Sequence, residues 1–129
     1  MNSRISNKEF RNKFDLEERL IKFSINILEV VEMLPKSYTG KHFAGQLVRS
    51  GSSPALNYGE AQSAESRKDF IHKMKVALKE LRETHICLQI ILRKPMVKKT
   101  TTLESLIKEN NELISIFVKS ISTAQKNSK

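Results

Sequence analysis

The stretch LVRSGSSPALNYGEAQSAES, residues 47–66, decides how this chain is organised, because it lies between two segments with strong helical patterns. Its two glycines each cost about 1 kcal/mol relative to alanine in a helix interior. Its proline removes a backbone donor and clashes with the preceding helical turn. Such a stretch is compatible with a loop, with a phosphate-binding cradle, or with a helix whose small residues allow a neighbouring segment to approach closely.

The spacing of the glycines excludes a nucleotide-binding loop. The Gly-Lys-Ser/Thr end of a Walker motif does not follow, and the stretch lacks the G-x-G-x-x-G spacing of dinucleotide-binding turns. The segment instead continues an upstream helical pattern, which predicts a helix over about residues 39–62 with a kink or local break at Pro54. We expect tertiary packing to stabilise this helix. One of its faces carries mostly small side chains, namely Ala44, Val48, Gly51, Ala55 and Gly59.

Three other segments have apolar residues at alternating spacings of three and four, which is typical of amphipathic helices. These helices are predicted over about residues 15–34, 66–93 and 101–123. Helix-capping pairs precede them, and Pro35 and Pro95 follow two of them. Four amphipathic helices with short connections predict an all-α fold, an antiparallel up-down-up-down four-helix bundle in one domain.

The two ends of the chain have no clear apolar stripe. Residues 1–14 are therefore predicted as a basic segment that is flexible or fraying, residues 15–123 as the bundle, and residues 124–129 as a frayed tail. The N-terminal residues lack the apolar core of a secretory signal, and no apolar run is long enough to predict a membrane span. A single cysteine fits a reducing compartment, so we expect a cytoplasmic protein.

Net charge is the unusual feature of the composition. Lysine and arginine total 23 against 14 aspartates and glutamates, which gives a formal charge of +9. A small domain with this excess attracts polyanions or acidic protein surfaces. The alternative is a basic but ordinary solvated surface, and the placement of the charges has to decide between the two.

The sequence contains no constellation typical of catalysis or metal binding. The three histidines, His42, His72 and His85, include no pair four residues apart, and the Glu-x-x-His pair of di-iron bundles is missing. Cys87 has no vicinal partner and is expected to behave as a small apolar residue. We therefore predict no catalytic residues, no metal and no cofactor, and we do not expect an enzyme.

Two sets of basic residues are candidates for phosphate contacts. In an up-down-up-down bundle the first and third connections lie at the same end, which collects six positive charges. This end comprises Lys36, Lys41, Arg93, Lys94, Lys98 and Lys99. The second set follows the third helix opposite its apolar stripe and comprises Lys75, Lys79 and Arg82. For that row the alternative is a solvated helix face, partly neutralised by Asp69, Glu80 and Glu83.

Several short motifs follow one another between residues 47 and 93. They are Arg49-Ser50-Gly51, Asn57 with Glu60-Ala61, Ser66 to Phe70, Ala77-Leu78-Lys79-Glu80 and Glu83-Thr84. In this order they resemble the four-helix bundle protein family first noticed in intervening sequences of bacterial 23S rRNA genes. The resemblance extends over about residues 15–95. The segment Pro54-Ala55-Leu56 departs from it, since many relatives have a sequence such as Ile-Gly-Ala there.

The resemblance implies a cytoplasmic bacterial protein of four helices, commonly assembled as a homopentamer. A related branch, the accessory proteins of diversity-generating retroelements, forms a basic pentameric barrel that binds nucleic acid and a reverse transcriptase. We therefore expect a non-catalytic homo-oligomer, with a pentamer favoured, that is a candidate for binding RNA or DNA through phosphate contacts. The alternative is a protein-interaction scaffold, or an accessory subunit that meets an acidic partner such as a reverse transcriptase. Arg49, Asn57 and Glu60 are expected to form a structural polar network.

Overall fold

The chain forms four α-helices in a computed structural model, which describes the backbone of residues 3–98 and 100–127 and the side chains from residue 15 onward within those ranges. The helices are α1 (Ser3–Met33), α2 (Tyr38–Gln62), α3 (Arg67–Arg93) and α4 (Thr100–Lys126). No strand occurs among the described residues. Each helix packs against the next and α1 also packs against α4, which confirms the antiparallel up-down-up-down four-helix bundle.

The two central helices lie within one residue of their predicted bounds, whereas the outer two are longer than predicted. Helix α1 begins at Ser3 rather than at Asp15, and α4 continues to Lys126 rather than ending at residue 123. Residues 3–14 contain neither proline nor glycine, so nothing in the sequence ends the helix there. The predicted bounds followed the apolar stripe, which marks the packed part of a helix and not its full length.

The core of the bundle is mainly aliphatic. Helix α1 contributes Leu20, Phe23, Ile27 and Val30, each of which is at most 1% exposed. The other helices add their own buried stripes, which include Leu47, Met74, Leu81, Leu88, Ile91, Leu103, Leu113 and Phe117. These positions largely follow the predicted periodicity. Leu78, which also belongs to the predicted stripe of α3, is only partly buried at the edge of the core.

Helix α2 lies close to α1 at Gly51. A Cβ at this position would lie 2.5 Å from Cγ2 of Ile27, which is closer than two carbon atoms can pack. The Ser24 hydroxyl lies 2.9 Å from the carbonyl of Leu20 on its own helix and 3.3 Å from the Gly51 carbonyl on α2. The small residue of α2 therefore serves close packing within the bundle, as one of the sequence interpretations proposed.

Pro54 does not interrupt α2, so the predicted local break is wrong. The helix is continuous from Tyr38 to Gln62, and Pro54 is buried inside it. Proline costs the helix one backbone hydrogen bond, because it has no N–H to donate to the carbonyl of Ser50. Packing of α2 against α1 on one side and against α3 on the other holds the helix together across that position.

A polar layer crosses the middle of the bundle at the level of Gly51. The Thr84 hydroxyl of α3 lies 3.0 Å from the Ser50 hydroxyl of α2, and both residues are fully buried. On α4, the buried Asn110 donates from Nδ2 to the Leu81 carbonyl at 3.0 Å. Its Oδ1 has no hydrogen-bond partner among the described residues. The Thr84 hydroxyl can also donate to the Glu80 carbonyl of its own helix, at 2.9 Å. The contact of Asn110 fixes the register of α4 against α3, since sliding would leave its Nδ2 buried and unpaired.

The close contact at Gly51 predicts a destabilising substitution. We expect Gly51→Ala to lower the free energy of unfolding by about 1–3 kcal/mol, because the added methyl group overpacks against Ile27. The matched control is Gly45→Ala, where a Cβ meets nothing within 4 Å and alanine should stabilise the helix by up to about 1 kcal/mol. Urea denaturation followed by circular dichroism measures both. Equal effects at the two positions would contradict the close contact.

The assignment of core residues predicts that truncating a buried leucine costs more stability than truncating an exposed one. Leu81→Ala should lower the free energy of unfolding by about 2–5 kcal/mol, since it removes a fully buried side chain and leaves a cavity. Leu56→Ala removes the same atoms from a side chain that is 67% exposed, so its cost should stay below about 0.5 kcal/mol. The same denaturation measurement applies. A small cost at Leu81 would place the core on another face of α3.

Candidate nucleic-acid interface

The basic end is formed by the connections 34–37 and 94–98, which lie at the same end of the bundle as the topology requires. Buried Leu34 anchors the first connection and buried Val97 the second. Ser37 caps α2 by accepting a hydrogen bond from the Gly40 N–H at 3.2 Å. All predicted cations of this end that the structure describes are exposed, namely Lys36, Lys41, Arg93, Lys94 and Lys98. Lys99 lies outside the described residues.

The described cations of this end form no ion pair with the described acids of the chain. Among the described residues, the ion pairs of lysine and arginine involve Arg19, Arg49 and Lys73, none of which belongs to the basic end. Arg93 donates only to Gln89 Oε1 of its own helix, at 3.2 Å. Two helix N-termini and two helix C-termini meet at this end, so their macrodipoles largely cancel and the side chains set the potential.

An aromatic side chain lies among these cations, which sequence reasoning did not identify. Tyr38, the first residue of α2, is 91% exposed between the exposed Lys36 and Lys41. Exposure of this kind suits stacking against a nucleic-acid base beside a phosphate-binding lysine. One feature of the sequence could have identified Tyr38: it lies at the start of a predicted helix, directly after a connection that contains a proline.

The helix-three row is exposed and less neutralised than its sequence suggested. Lys75, Lys79 and Arg82 all face solvent. Of the acids expected to neutralise the row, Glu80 and Glu83 turn toward α2 instead. The expectation was wrong for these two because positions at the edge of a helical wheel can face either solvent or the neighbouring helix, and Arg49 of α2 attracts both carboxylates.

Arg49, Asn57 and Glu60, which were predicted to form a polar network, each contact different partners and not one another. Arg49 Nη1 lies 2.9 Å from Glu80 Oε2 and its Nη2 lies 2.9 Å from Glu83 Oε2. The hydrogen bond to Glu83, followed by the charges of both glutamates, raises the pKa of the Arg49 guanidinium. Asn57 donates to the Ser53 carbonyl of its own helix at 3.0 Å.

The third member of the predicted network, Glu60, makes its contact elsewhere on α2. Its carboxylate accepts a hydrogen bond from Lys73 Nζ at 2.7 Å, and this contact raises the pKa of Lys73. Arg49 and Glu60 therefore both join α2 to α3, but at different levels of the bundle. Glu80 is the most buried of the acids involved, with 8% of its surface exposed, so the ion pair with Arg49 offsets the cost of burying its carboxylate.

A further ion pair, which sequence reasoning missed, joins α1 to α4. Arg19 Nη2 lies 2.7 Å from Glu109 Oε1 and 3.0 Å from Glu112 Oε1, and the bond to Glu109 raises the pKa of Arg19. The feature of the sequence that pointed to this ion pair was the spacing of Glu109 and Glu112, three residues apart on α4. Beside this pair, residues of all four helices line an open pocket of 460 Å³, whose apolar residues include Leu16, Tyr58, Phe70 and Ile116.

Burial shifts the pKa of two further side chains in the described part of the chain, Cys87 and Tyr58. Burial raises the pKa of the Cys87 thiol, which opposes formation of the nucleophilic thiolate. Burial, with a smaller contribution from Glu17, raises the pKa of Tyr58 to about 12. No three His, Cys, Asp or Glu side chains in the described part of the chain are placed to hold a metal ion. Within the same part, no helix is both long and apolar enough to cross a membrane.

Comparison with known proteins identifies the family. No match was found among curated proteins. A crystal structure of a protein of unknown function from the S23 ribosomal protein family of Bacteroides thetaiotaomicron is similar, with a TM-score of 0.77 and 27% sequence identity over 85% of this chain and 97% of that chain. The family model described as 23S rRNA-intervening sequence protein matches residues 12–119. Since this match spans most of the four helices, the chain belongs to the 23S rRNA-intervening sequence protein family.

Proposed function

We propose that the chain is a non-catalytic, homo-oligomeric four-helix bundle that binds RNA or DNA through phosphate contacts at its basic end. The observation that carries this proposal is the set of exposed cations at one end of the bundle, none of which has an acidic partner within the described residues. Free cations on a rigid support attract polyanions, and each phosphate that they neutralise releases a counterion.

The proposed binding mode is tolerant of sequence. Lysines act as flexible point charges toward phosphate and do not read base edges. The connections that carry them are fixed by buried Leu34 and Val97, so the charges stay at one end of a stable scaffold. Tyr38 adds a surface on which one base of a single strand can stack. The proposed setting is the cytoplasm, which the single cysteine and the family resemblance support.

Homo-oligomerisation, with a pentamer favoured by the family resemblance, is the second part of the proposal. Isoleucines and a leucine are exposed on the outer surfaces of α1 and α3, although such side chains usually lie in a core. Contiguous exposed apolar surface is typical of an interaction site. Assembly would also place several basic ends in one particle, and several weak phosphate contacts then act together.

A second candidate function is a scaffold or accessory subunit that meets an acidic protein partner. It is favoured by the exposed Ile86 and Ile90, which lie next to Arg93 on the surface of α3. Phosphate binding makes no use of exposed isoleucines, whereas the centre of a protein interface is enriched in apolar surface. Stable co-purification of an acidic protein, without nucleic-acid binding at physiological salt, would support this candidate over the first.

The basic end predicts a salt-dependent loss of binding. The variant Lys41→Gln, Lys94→Gln, Lys98→Gln should bind unrelated RNA and DNA sequences more weakly, and the slope of log affinity against log salt should fall by roughly 1 per lysine. The control variant Lys108→Gln, Lys119→Gln, Lys126→Gln removes the same charge from exposed positions of α4. Fluorescence anisotropy titrations at several salt concentrations measure both. If the two variants lost the same affinity, the basic end would not be the site.

Stacking on Tyr38 predicts a preference for single strands. Tyr38→Ala should weaken binding of a single-stranded oligonucleotide by about 1–3 kcal/mol, since that is the usual contribution of one stacked base, and should leave duplex binding unchanged. Tyr38→Phe keeps the ring and should bind like the parent. The same anisotropy titrations apply. An equal loss for the single strand and the duplex would show that Tyr38 does not act by stacking.

A further inference from the structure

The outward face of α1 carries an apolar stripe with an acid at each end. Ile21, Ile25 and Leu28 are exposed at spacings of four and three, and Ile25 is 50% exposed. Glu17 precedes the stripe by four residues and Glu32 follows it by four, so all five lie on one side of the helix. We call these five residues the acidic face.

The outward face of α3 carries the opposite pattern. Ile86 and Ile90 are exposed, and Ile86 is 57% exposed. Lys79 and Arg82 lie before them and Arg93 after them, all exposed on the same side of the helix. We call these five residues the basic face. It overlaps the predicted nucleic-acid row at two positions and the basic end at one.

The charges of both faces are available for a partner. In the described part of the chain, the glutamates that form ion pairs are residues 60, 80, 83, 109 and 112, and Glu17 and Glu32 are not among them. The cations in those pairs likewise exclude the three of the basic face. Glu83 also lies among the residues of the basic face, but it pairs with Arg49 of α2. Apart from this paired acid, the basic face presents exposed isoleucines between cations, and the acidic face presents exposed apolar side chains between glutamates.

The two faces have matching dimensions. From Glu17 to Glu32 the helix rises by about 22 Å, and from Lys79 to Arg93 it rises by about 21 Å, at 1.5 Å per residue. Helices α1 and α3 both pack against α2 and α4 and occupy diagonally opposite corners of the bundle. One molecule cannot bring its own acidic and basic faces together, but two molecules can.

We propose that the acidic face of one copy of this chain binds the basic face of a second copy. The inference rests on the homo-oligomerisation proposed above and names the surfaces that would form it. Apolar side chains would meet in the middle, and glutamates would meet cations at both ends. Contacts between two acidic faces or two basic faces would bring like charges together, which disfavours an isologous pairing.

Such a contact is heterologous, because it uses two different faces of the same chain. Each added copy leaves one acidic and one basic face free, so assembly continues until a ring closes. This proposal assigns Lys79, Arg82 and Arg93 to assembly. The remaining cations of the basic end, among them Lys36, Lys41 and Lys98, stay free for phosphate.

Complementation between two variants tests the contact. One variant, Ile21→Asn with Ile25→Asn, impairs the acidic face, and the other, Ile86→Asn with Ile90→Asn, impairs the basic face. The four side chains are exposed, so circular dichroism should show the helical content of the parent. In light scattering the parent should have several times the 14.8 kDa chain mass, and each variant alone should be a monomer. A mixture of the two should give a species of twice the chain mass, because only one intact contact is possible.

Charge reversal provides a second, independent test. Glu17→Lys with Glu32→Lys should break the assembly through repulsion from the basic face. Adding Arg82→Glu and Arg93→Glu to the same chain should restore it. The control, Glu65→Lys with Glu104→Lys, makes the same change of charge at exposed positions elsewhere and should assemble like the parent.

The outcomes separate this inference from the proposed function. A parent chain that is monomeric at every concentration would overturn homo-oligomerisation and this contact together, and a foreign acidic protein would then be the partner of the basic face. An oligomeric parent whose face variants remain oligomeric, or fail to pair in the mixture, would overturn the contact alone. The anisotropy titrations with the lysine variant report on nucleic-acid binding independently of either result.

Discussion

The absence of a side chain at Gly51 sets the distance between α1 and α2, and the rest of the bundle is arranged around that approach. A methyl group there would overlap the side chain of Ile27. With α2 drawn against α1, its opposite side meets α3, where the hydroxyls of Ser50 and Thr84 come within 3.0 Å. Asn110 continues the same level from α4 by donating to the Leu81 carbonyl. One small residue thus permits a polar layer that joins α2, α3 and α4 and fixes the axial register of α4 against α3.

The buried carboxylate of Glu80 adds a requirement of a different kind. A charge with so little exposure is costly unless it is paired, and Arg49 supplies the partner from α2. The pairing also removes Glu80 and Glu83 from the solvent-facing side of α3, so an interaction that specifies the fold leaves the basic row less neutralised. The positive potential along the outer surface of α3 therefore depends on the pairing of Glu80 and Glu83 with Arg49.

The four helices and most of the core could be predicted from the sequence, because apolar spacing and capping residues are local signals. The prediction of α2 through Pro54 was also right, but the local break expected there is not found, since packing on both sides outweighs the loss of one backbone hydrogen bond. The orientation of the Glu80 side chain could not be predicted either. A helical wheel places Glu80 at the edge of the solvent-facing side, and only the position of Arg49 determines whether its carboxylate faces solvent or α2. At the candidate site the cluster of lysines followed from topology. The exposure of Tyr38 depends on the exact start of α2, which local patterns define poorly.

The seam between α1 and α4 has a consequence for motion. These two helices make the smallest of the interhelix contacts. Local opening draws on the regions with the fewest buried contacts, so we expect the bundle to open first along this seam. Amide protons of α1 and α4 should then exchange with solvent before those of α2 and α3, which each pack extensively against two neighbours. The structure is in this sense a central pair of helices, α2 and α3, that carries one outer helix on each side.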